Sequence, residues 1–183
     1  MYLGFIGTGE ISKAVILGIL KSKIKYKKIF ISKRNFKISR YLKKKNIVIS
    51  FISTIKLNDL KKYIKTKCQI VRVIPLPPIS LGVGPIPIYP PNKTVKNFFD
   101  KIGETIEIKN EELSLNFWTM SSMMAPYYEM LNKLSNWLVA KGLNKSKAEN
   151  YITSLFLGLS KNANQNNYKD LTELVKKSQT PEV

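Results

Sequence analysis

The sequence contains no histidine. Catalytic triads or dyads built on an imidazole, histidine general bases and histidine metal ligands are thereby excluded, and no metal site is expected. It contains one cysteine, Cys68, so no disulfide can form within the chain and a reducing compartment is expected. Acidic residues are few, 12 against 31 basic, for a net charge of +19. Charge of that size raises the question of phosphate-bearing partners. Arginine, however, accounts for only 3 of the basic residues, and arginine is the side chain that reads guanine by bidentate contacts. Scattered lysines, with isoleucine and asparagine also abundant, fit A+T-rich codon usage better than nucleic-acid recognition, and no nucleic-acid partner is expected.

Long uninterrupted apolar runs are also missing. Glu10 and Lys13 break the apolar start, against a signal peptide. The most apolar later stretch, residues 70–91, carries Arg72 and seven prolines, which delete helical hydrogen bonds. No membrane association is expected, and a cytoplasmic location is.

What is present is ordinary globular composition, 44% apolar and 23% charged over 183 residues. Tyr2-Leu3-Gly4-Phe5-Ile6 reads as a buried strand. Ile11, Ala14, Val15, Gly18 and Ile19 then fall on one helical face. Ile29-Phe30-Ile31, residues 47–52 and residues 70–74 read as further buried strands, with helical patterns at 36–45 and around Leu57, Leu60 and Ile64. Such alternation predicts a parallel α/β sheet. Pro85-Ile86-Pro87-Ile88-Tyr89 is expected to be an edge strand or extended loop, because proline cannot donate to a ladder. Val95, Phe98, Phe99 and Ile102 form another helical stripe, followed by Gly103 and a closing strand at 105–108.

Beyond residue 110 the pattern is helical. Residues 111–141 hold one proline, Pro126, and no glycine, which predicts one long helix or two joined near Pro126. Its apolar residues occupy more than one side, so it is expected to be buried. Gly142 is expected to cap it, with helices at 146–161 and 170–177 and a polar linker at 162–167. The predicted domains are 1–109 and 110–183.

Two motifs carry chemistry. Gly7-Thr8-Gly9-Glu10-Ile11-Ser12 joins the first strand to the first helix. Glycines there let the backbone turn tightly and approach a pyrophosphate, and the helix N-terminus offers free N–H groups to it. Ser32-Lys33-Arg34-Asn35 follows the second strand, where an NAD-selective chain usually places a carboxylate for the ribose 2′-hydroxyl. A hydroxyl, two cations and an amide instead suit a 2′-phosphate, so NADP is the expected cofactor. Gly7, Thr8, Gly9, Glu10, Ile11, Ser32, Lys33, Arg34 and Asn35 are the candidate cofactor residues.

Leu3-Gly4-Phe5-Ile6-Gly7-Thr8-Gly9, followed by Ile31-Ser32-Lys33-Arg34-Asn35, resembles the opening of the pyrroline-5-carboxylate reductases. Val71-Arg72-Val73-Ile74-Pro75 resembles that family's R-V-M-P-N-T-P segment. Residues 95–108 resemble its helix–glycine–strand element, and 142–159 the helix after its long dimer helix. The resemblance implies a Rossmann-like NADP-binding domain with a reduced number of strands, followed by an all-helical dimerisation domain. It implies NADPH-dependent hydride transfer to a cyclic imine carboxylate, most simply 1-pyrroline-5-carboxylate, giving proline, in a homodimer or higher homo-oligomer. It adds Pro75 to the cofactor residues and, by alignment, Ser121, Ser122 and Thr180 as the hydroxyls near the imine.

The sequence departs from the family in four places. It passes from Lys45 to Asn46 where the family has about two more β–α units. Leu76 replaces an asparagine. Ser121-Ser122-Met123-Met124-Ala125-Pro126-Tyr127 lacks both glycines of the S-G-S-G-P-A-Y loop. Ser178-Gln179-Thr180-Pro181 only begins the family's T-S-P-G-G-T segment, so a shortened helical domain is expected. The alternative reading is a non-catalytic, dinucleotide-binding paralogue.

Overall fold

The computed structural model describes residues 2–6, 9–32, 47–64, 69–165 and 171–179. The helical pattern at 36–45 lies outside them. The chain divides into two compact units, Met1–Ser121 and Ser122–Val183.

The first unit runs β1 (Tyr2–Ile6), α1 (Glu10–Lys21), β2 (Lys28–Ser32), β3 (Val48–Ser50), α2 (Leu57–Ile64) and β4 (Ile70–Val73). A 3₁₀ turn (Pro77–Leu81), β5 (Pro85–Tyr89), α3 (Lys93–Phe99), β6 (Glu104–Glu107) and α4 (Glu111–Ser121) follow. β1 and β2 form a parallel ladder with Ile6 opposite Ser32. The other four strands form a sheet in the order β3-β4-β5-β6, parallel except between β4 and β5. β3 is shorter than residues 47–52 because the Ile52 amide donates to Ser50 Oγ at 3.2 Å, a local bond that competes with the ladder.

The expectation for residues 85–89 is corrected: β5 is an interior strand between β4 and β6. The backbone explains how prolines are accommodated. The Gly84 and Ile88 carbonyls accept from Glu104 and Ile108 on the β6 side, while the Pro87 carbonyl accepts from Ile74 on the β4 side. Pro85 and Pro87 therefore turn their missing donors toward β4, which pairs with β5 only at Tyr89 and Ile88. The donors needed by β6 belong to Ile86 and Ile88 and are intact.

The core gathers Ala14, Val15 and Ile19 of α1 against Val71 and Val73 of β4, Ile86 and Ile88 of β5, and Phe99 and Ile102. Gly18 lets α1 meet the 3₁₀ turn at van der Waals distance, since a Cβ there would lie 2.5 Å from the Ile79 carbonyl oxygen. The turn ends at Gly82, whose φ of 75° is left-handed and suits glycine.

The second unit contains α5 (Met124–Ala140), α6 (Lys145–Gln165) and α7 (Leu171–Ser178). The helical break falls at residues 122–123, and Pro126 sits in the first turn of α5, where no intrahelical donor is lost. At the other end of α5, Gly142 has φ 96°. Its amide bonds Val139 and that of Leu143 bonds Leu138, the paired bonds of a Schellman cap. Asn144 then caps α6 by accepting from Ser146 at 3.0 Å. The expected linker at 162–167 is helical as far as Gln165.

The expected burial of the long helical stretch is not met within the single chain. Trp118, Met120, Met123, Tyr128, Met130 and Trp137 are exposed in the single chain. α6 covers one side of α5, with Tyr127 and Phe156 edge to face at 6.1 Å. One neighbouring helix covers only one stripe of a helix that is apolar on several.

The Gly18 contact predicts opposite outcomes for two helical glycines. Gly18→Ala should lower unfolding free energy by about 1–3 kcal/mol, because backbone must move to admit the methyl. At Gly158, a Cβ would meet nothing within 4 Å. Gly158→Ala should raise stability by about 0.5–1 kcal/mol through helix propensity alone. Urea denaturation of both variants checks the pair of signs.

Candidate functional site

The carboxyl ends of β1 and β2 lie side by side, because the parallel register sets Ile6 against Ser32. Three residues separate the end of β1 from the start of α1. Its N-cap is Gly9, with φ −64° and ψ 170° and no side chain to cap the first turn. The Gly9 carbonyl accepts from Lys13 at 3.0 Å. The amides of Glu10, Ile11 and Ser12 therefore precede the first helical bond and have no intrahelical acceptor. A Cβ on Gly9 would meet nothing within 4 Å, so the approach to this backbone is open. Glu10 is exposed and lies 3.8 Å from Lys13 along the helix. This strand–glycine–helix arrangement can receive a phosphate group, and the end of β2 is beside it.

Of the sequence-predicted residues, Gly9, Glu10, Ile11 and Ser32 are thus brought to one end of the β1–β2 ladder. Gly7, Thr8, Lys33, Arg34, Asn35 and Thr180 lie outside the described residues. Pro75 is buried just after β4, ahead of the 3₁₀ turn that packs on α1. Ser121 ends α4 and is half-buried. Its hydroxyl donates to the Phe117 carbonyl at 2.9 Å, which commits the proton and leaves lone pairs on the oxygen. Ser122 is exposed at the start of the second unit.

A second polar centre was not anticipated. Arg72, in the middle of β4, is only 1% exposed. Its guanidinium meets the Glu111 carboxylate at 3.0 Å. It also donates to the Ile55 carbonyl and, at 3.4 Å, to Ser114 Oγ. The same Glu111 oxygen accepts from the Leu57 amide at 2.7 Å, so one carboxylate serves both Arg72 and the first turn of α2. Ser114 in turn donates to the Glu111 carbonyl. Arg72 Nε is buried and has no hydrogen-bond partner among the described residues. A lone cation inside an apolar strand, in a chain with three arginines, was the available signal. Its partner, distant in sequence, could not be read.

No family model and no curated protein matches the sequence. Solved structures do match. The pyrroline carboxylate reductase of Plasmodium falciparum, solved with NADP bound, superposes with a TM-score of 0.79 at 20% identity, covering 99% of this chain and 86% of that one. The 1-pyrroline-5-carboxylate reductase of Streptococcus pyogenes gives 0.76 at 18% identity, over 99% and 86%. That of Coxiella burnetii gives 0.78 at 16% identity, over 98% and 85%. The chain therefore has the fold of these oxidoreductases: an α/β part with mostly parallel strands followed by a helical region.

Removing Glu111 leaves Arg72 buried and the Leu57 amide uncapped. Glu111→Ala should cost about 2–4 kcal/mol, somewhat under the range for a wholly buried pair because Glu111 keeps some solvent contact. Glu111→Gln, which retains an acceptor for Leu57, should cost less. Equilibrium urea unfolding of the two variants gives the comparison.

Proposed function

We propose that this protein is an NADPH-dependent reductase of a cyclic imine carboxylate, most simply 1-pyrroline-5-carboxylate, which it converts to proline. The observation that carries the reading is the open Gly9 N-cap of α1 at the carboxyl end of β1, within a whole-chain likeness to reductases of that substrate. No described helix is long and apolar enough to cross a membrane.

The residues present fit the cofactor. The amides of Glu10, Ile11 and Ser12 would hold the pyrophosphate, and a side chain at position 9 would fill the space it needs. Ser32, Lys33, Arg34 and Asn35 would hold the 2′-phosphate, with Pro75 bordering the cofactor. When bound, the nicotinamide supplies the hydride. The chain's own task is to orient the imine and keep water away from it. Because the Ser121 proton is engaged by Phe117, its oxygen is suited to accept a hydrogen bond. A protonated imine nitrogen has one to give. Ser122 and Thr180 are the other hydroxyls assigned to this role.

We assign a homodimer to residues 111–161. Its support is the apolar surface that α5 and α6 leave uncovered, including Trp137 at 61% and Leu157 at 56% exposure. Exposed apolar area in large amount marks an interface where it is contiguous.

Three measurements test the proposal. NADPH oxidation followed at 340 nm with pyrroline-5-carboxylate should show turnover. NADPH binding without turnover on any cyclic imine would favour the non-catalytic paralogue. Gly9→Val should keep the wild-type unfolding midpoint, since φ and ψ at this position suit any residue, yet lose at least tenfold in NADPH affinity by calorimetry (about 1.4 kcal/mol). Arg34→Ala should lose roughly five- to a hundredfold in NADPH affinity, for a charge-assisted contact of about 1–3 kcal/mol, with NADH unaffected. Equal affinity of the wild type for both cofactors would remove the 2′-phosphate assignment.

A further inference from the structure

α4 is inverted relative to an ordinary surface helix. Glu111, Ser114, Phe117 and Ser121 form its inward stripe, buried or half-buried, while Leu113, Leu115, Trp118 and Met120 face outward. Three of the four inward residues are polar. Hydrophobic burial therefore contributes little to where this helix rests on β5, against which it packs. The polar contact that replaces it is the Arg72 guanidinium, which holds the Glu111 carboxylate at 3.0 Å and the Ser114 hydroxyl at 3.4 Å. Ser121 lies two helical turns beyond Ser114 on the same face, about 10 Å along the axis. Arg72 is also three residues before Pro75 on the same strand end.

We propose that Arg72 is a positioning residue: its guanidinium, rather than apolar packing, fixes the register of α4 on the sheet and thereby places the Ser121 hydroxyl. The role in catalysis rests on the imine-reductase reading. Arg72 touches neither cofactor nor imine. It acts by holding the helix that ends in Ser121. A fork with several donors can set rotation and translation together, through Ile55, Glu111 and Ser114. A lysine offers a point charge and cannot reach all three with fixed geometry.

The test uses the full-length protein with Arg72→Lys and the pair Arg72→Met/Glu111→Gln, in which no buried charge is left alone and Leu57 keeps its acceptor. Both should bind NADPH as the wild type does, since Gly9 and the end of β2 are untouched. In the paired variant, kcat/KM for pyrroline-5-carboxylate should fall roughly ten- to a hundredfold, the size of effect that a misplacement of about 1 Å produces. Arg72→Lys should fall between it and the wild type. Amides of residues 115–121 should exchange hydrogen faster in the paired variant while its urea midpoint stays near that of the wild type. Wild-type kcat and KM in the paired variant, or unchanged exchange in α4, overturns the proposal. Should the pair fail to fold, Arg72→Lys decides: wild-type kcat/KM overturns the proposal and a loss with unchanged NADPH affinity upholds it. A wild type that binds NADPH but reduces no cyclic imine defeats the reductase reading. Hydrogen exchange in α4 then decides the positioning of the helix by itself.

Discussion

The first unit depends on a cation that its own strand cannot accommodate. β4 reads Ile70, Val71, Arg72, Val73, and all four side chains are buried. An unpaired guanidinium in that setting would cost several kcal/mol of desolvation. The compensation comes from two segments far apart in sequence: the Ile55 carbonyl before α2, and the Glu111 carboxylate and Ser114 hydroxyl on α4. Glu111 is drawn to the same point a second time, because the positive end of α2 presents the Leu57 amide there. One charge thus joins the loop after β3 to α4 directly and, through the shared Glu111 carboxylate, to the start of α2.

Backbone economy governs the rest of this unit. β5 holds an interior place only because both of its prolines fall on one parity, turned toward the side where β4 ends. Gly103 faces the same strand, where a Cβ would lie 2.6 Å from Ile86 Cδ1. The 3₁₀ turn between β4 and β5 meets α1 through the absent side chain of Gly18. These close approaches hold the core of α1, β4 and β5 together, and the same helix offers its N-terminus at the end of β1.

The features legible in the sequence were those with a local cause. Apolar runs of three to six residues marked the strands, the 3.6-residue stripe marked α1, and Gly142 marked the end of α5. The glycine turn at the start of α1 was readable because strand, turn and helix are contiguous. Features set by distant partners were not. The parity of Pro85 and Pro87 matters only once the neighbours of β5 are known. The Arg72–Glu111 pair joins residues whose local patterns say nothing of each other. Ser121 was named by alignment, but the engagement of its proton by Phe117 depends on α4 running on to that residue. The apolar girth of residues 111–141 predicts burial, but periodicity reports which faces are apolar, not what covers them.

The absence of histidine constrains the chemistry in a way the structure makes specific. Reduction of a neutral imine would require a proton donor, and Ser121, the described half-buried candidate hydroxyl, has its proton committed to Phe117. Reduction of an imine that arrives already protonated has a different requirement. The nitrogen then needs an acceptor, and hydride addition discharges its positive charge without any acid on the protein. A hydroxyl whose proton is held elsewhere is a better-oriented acceptor than one free to rotate, because its lone pairs are fixed by the bond it donates. On the proposed reading, the hydroxyl on α4 would be matched to the cationic form of an imine substrate, and its usefulness would depend on where the helix is held. On the role proposed for Arg72, that place would be set by its guanidinium, which meets Glu111 and Ser114 at the opposite end of the same helical face.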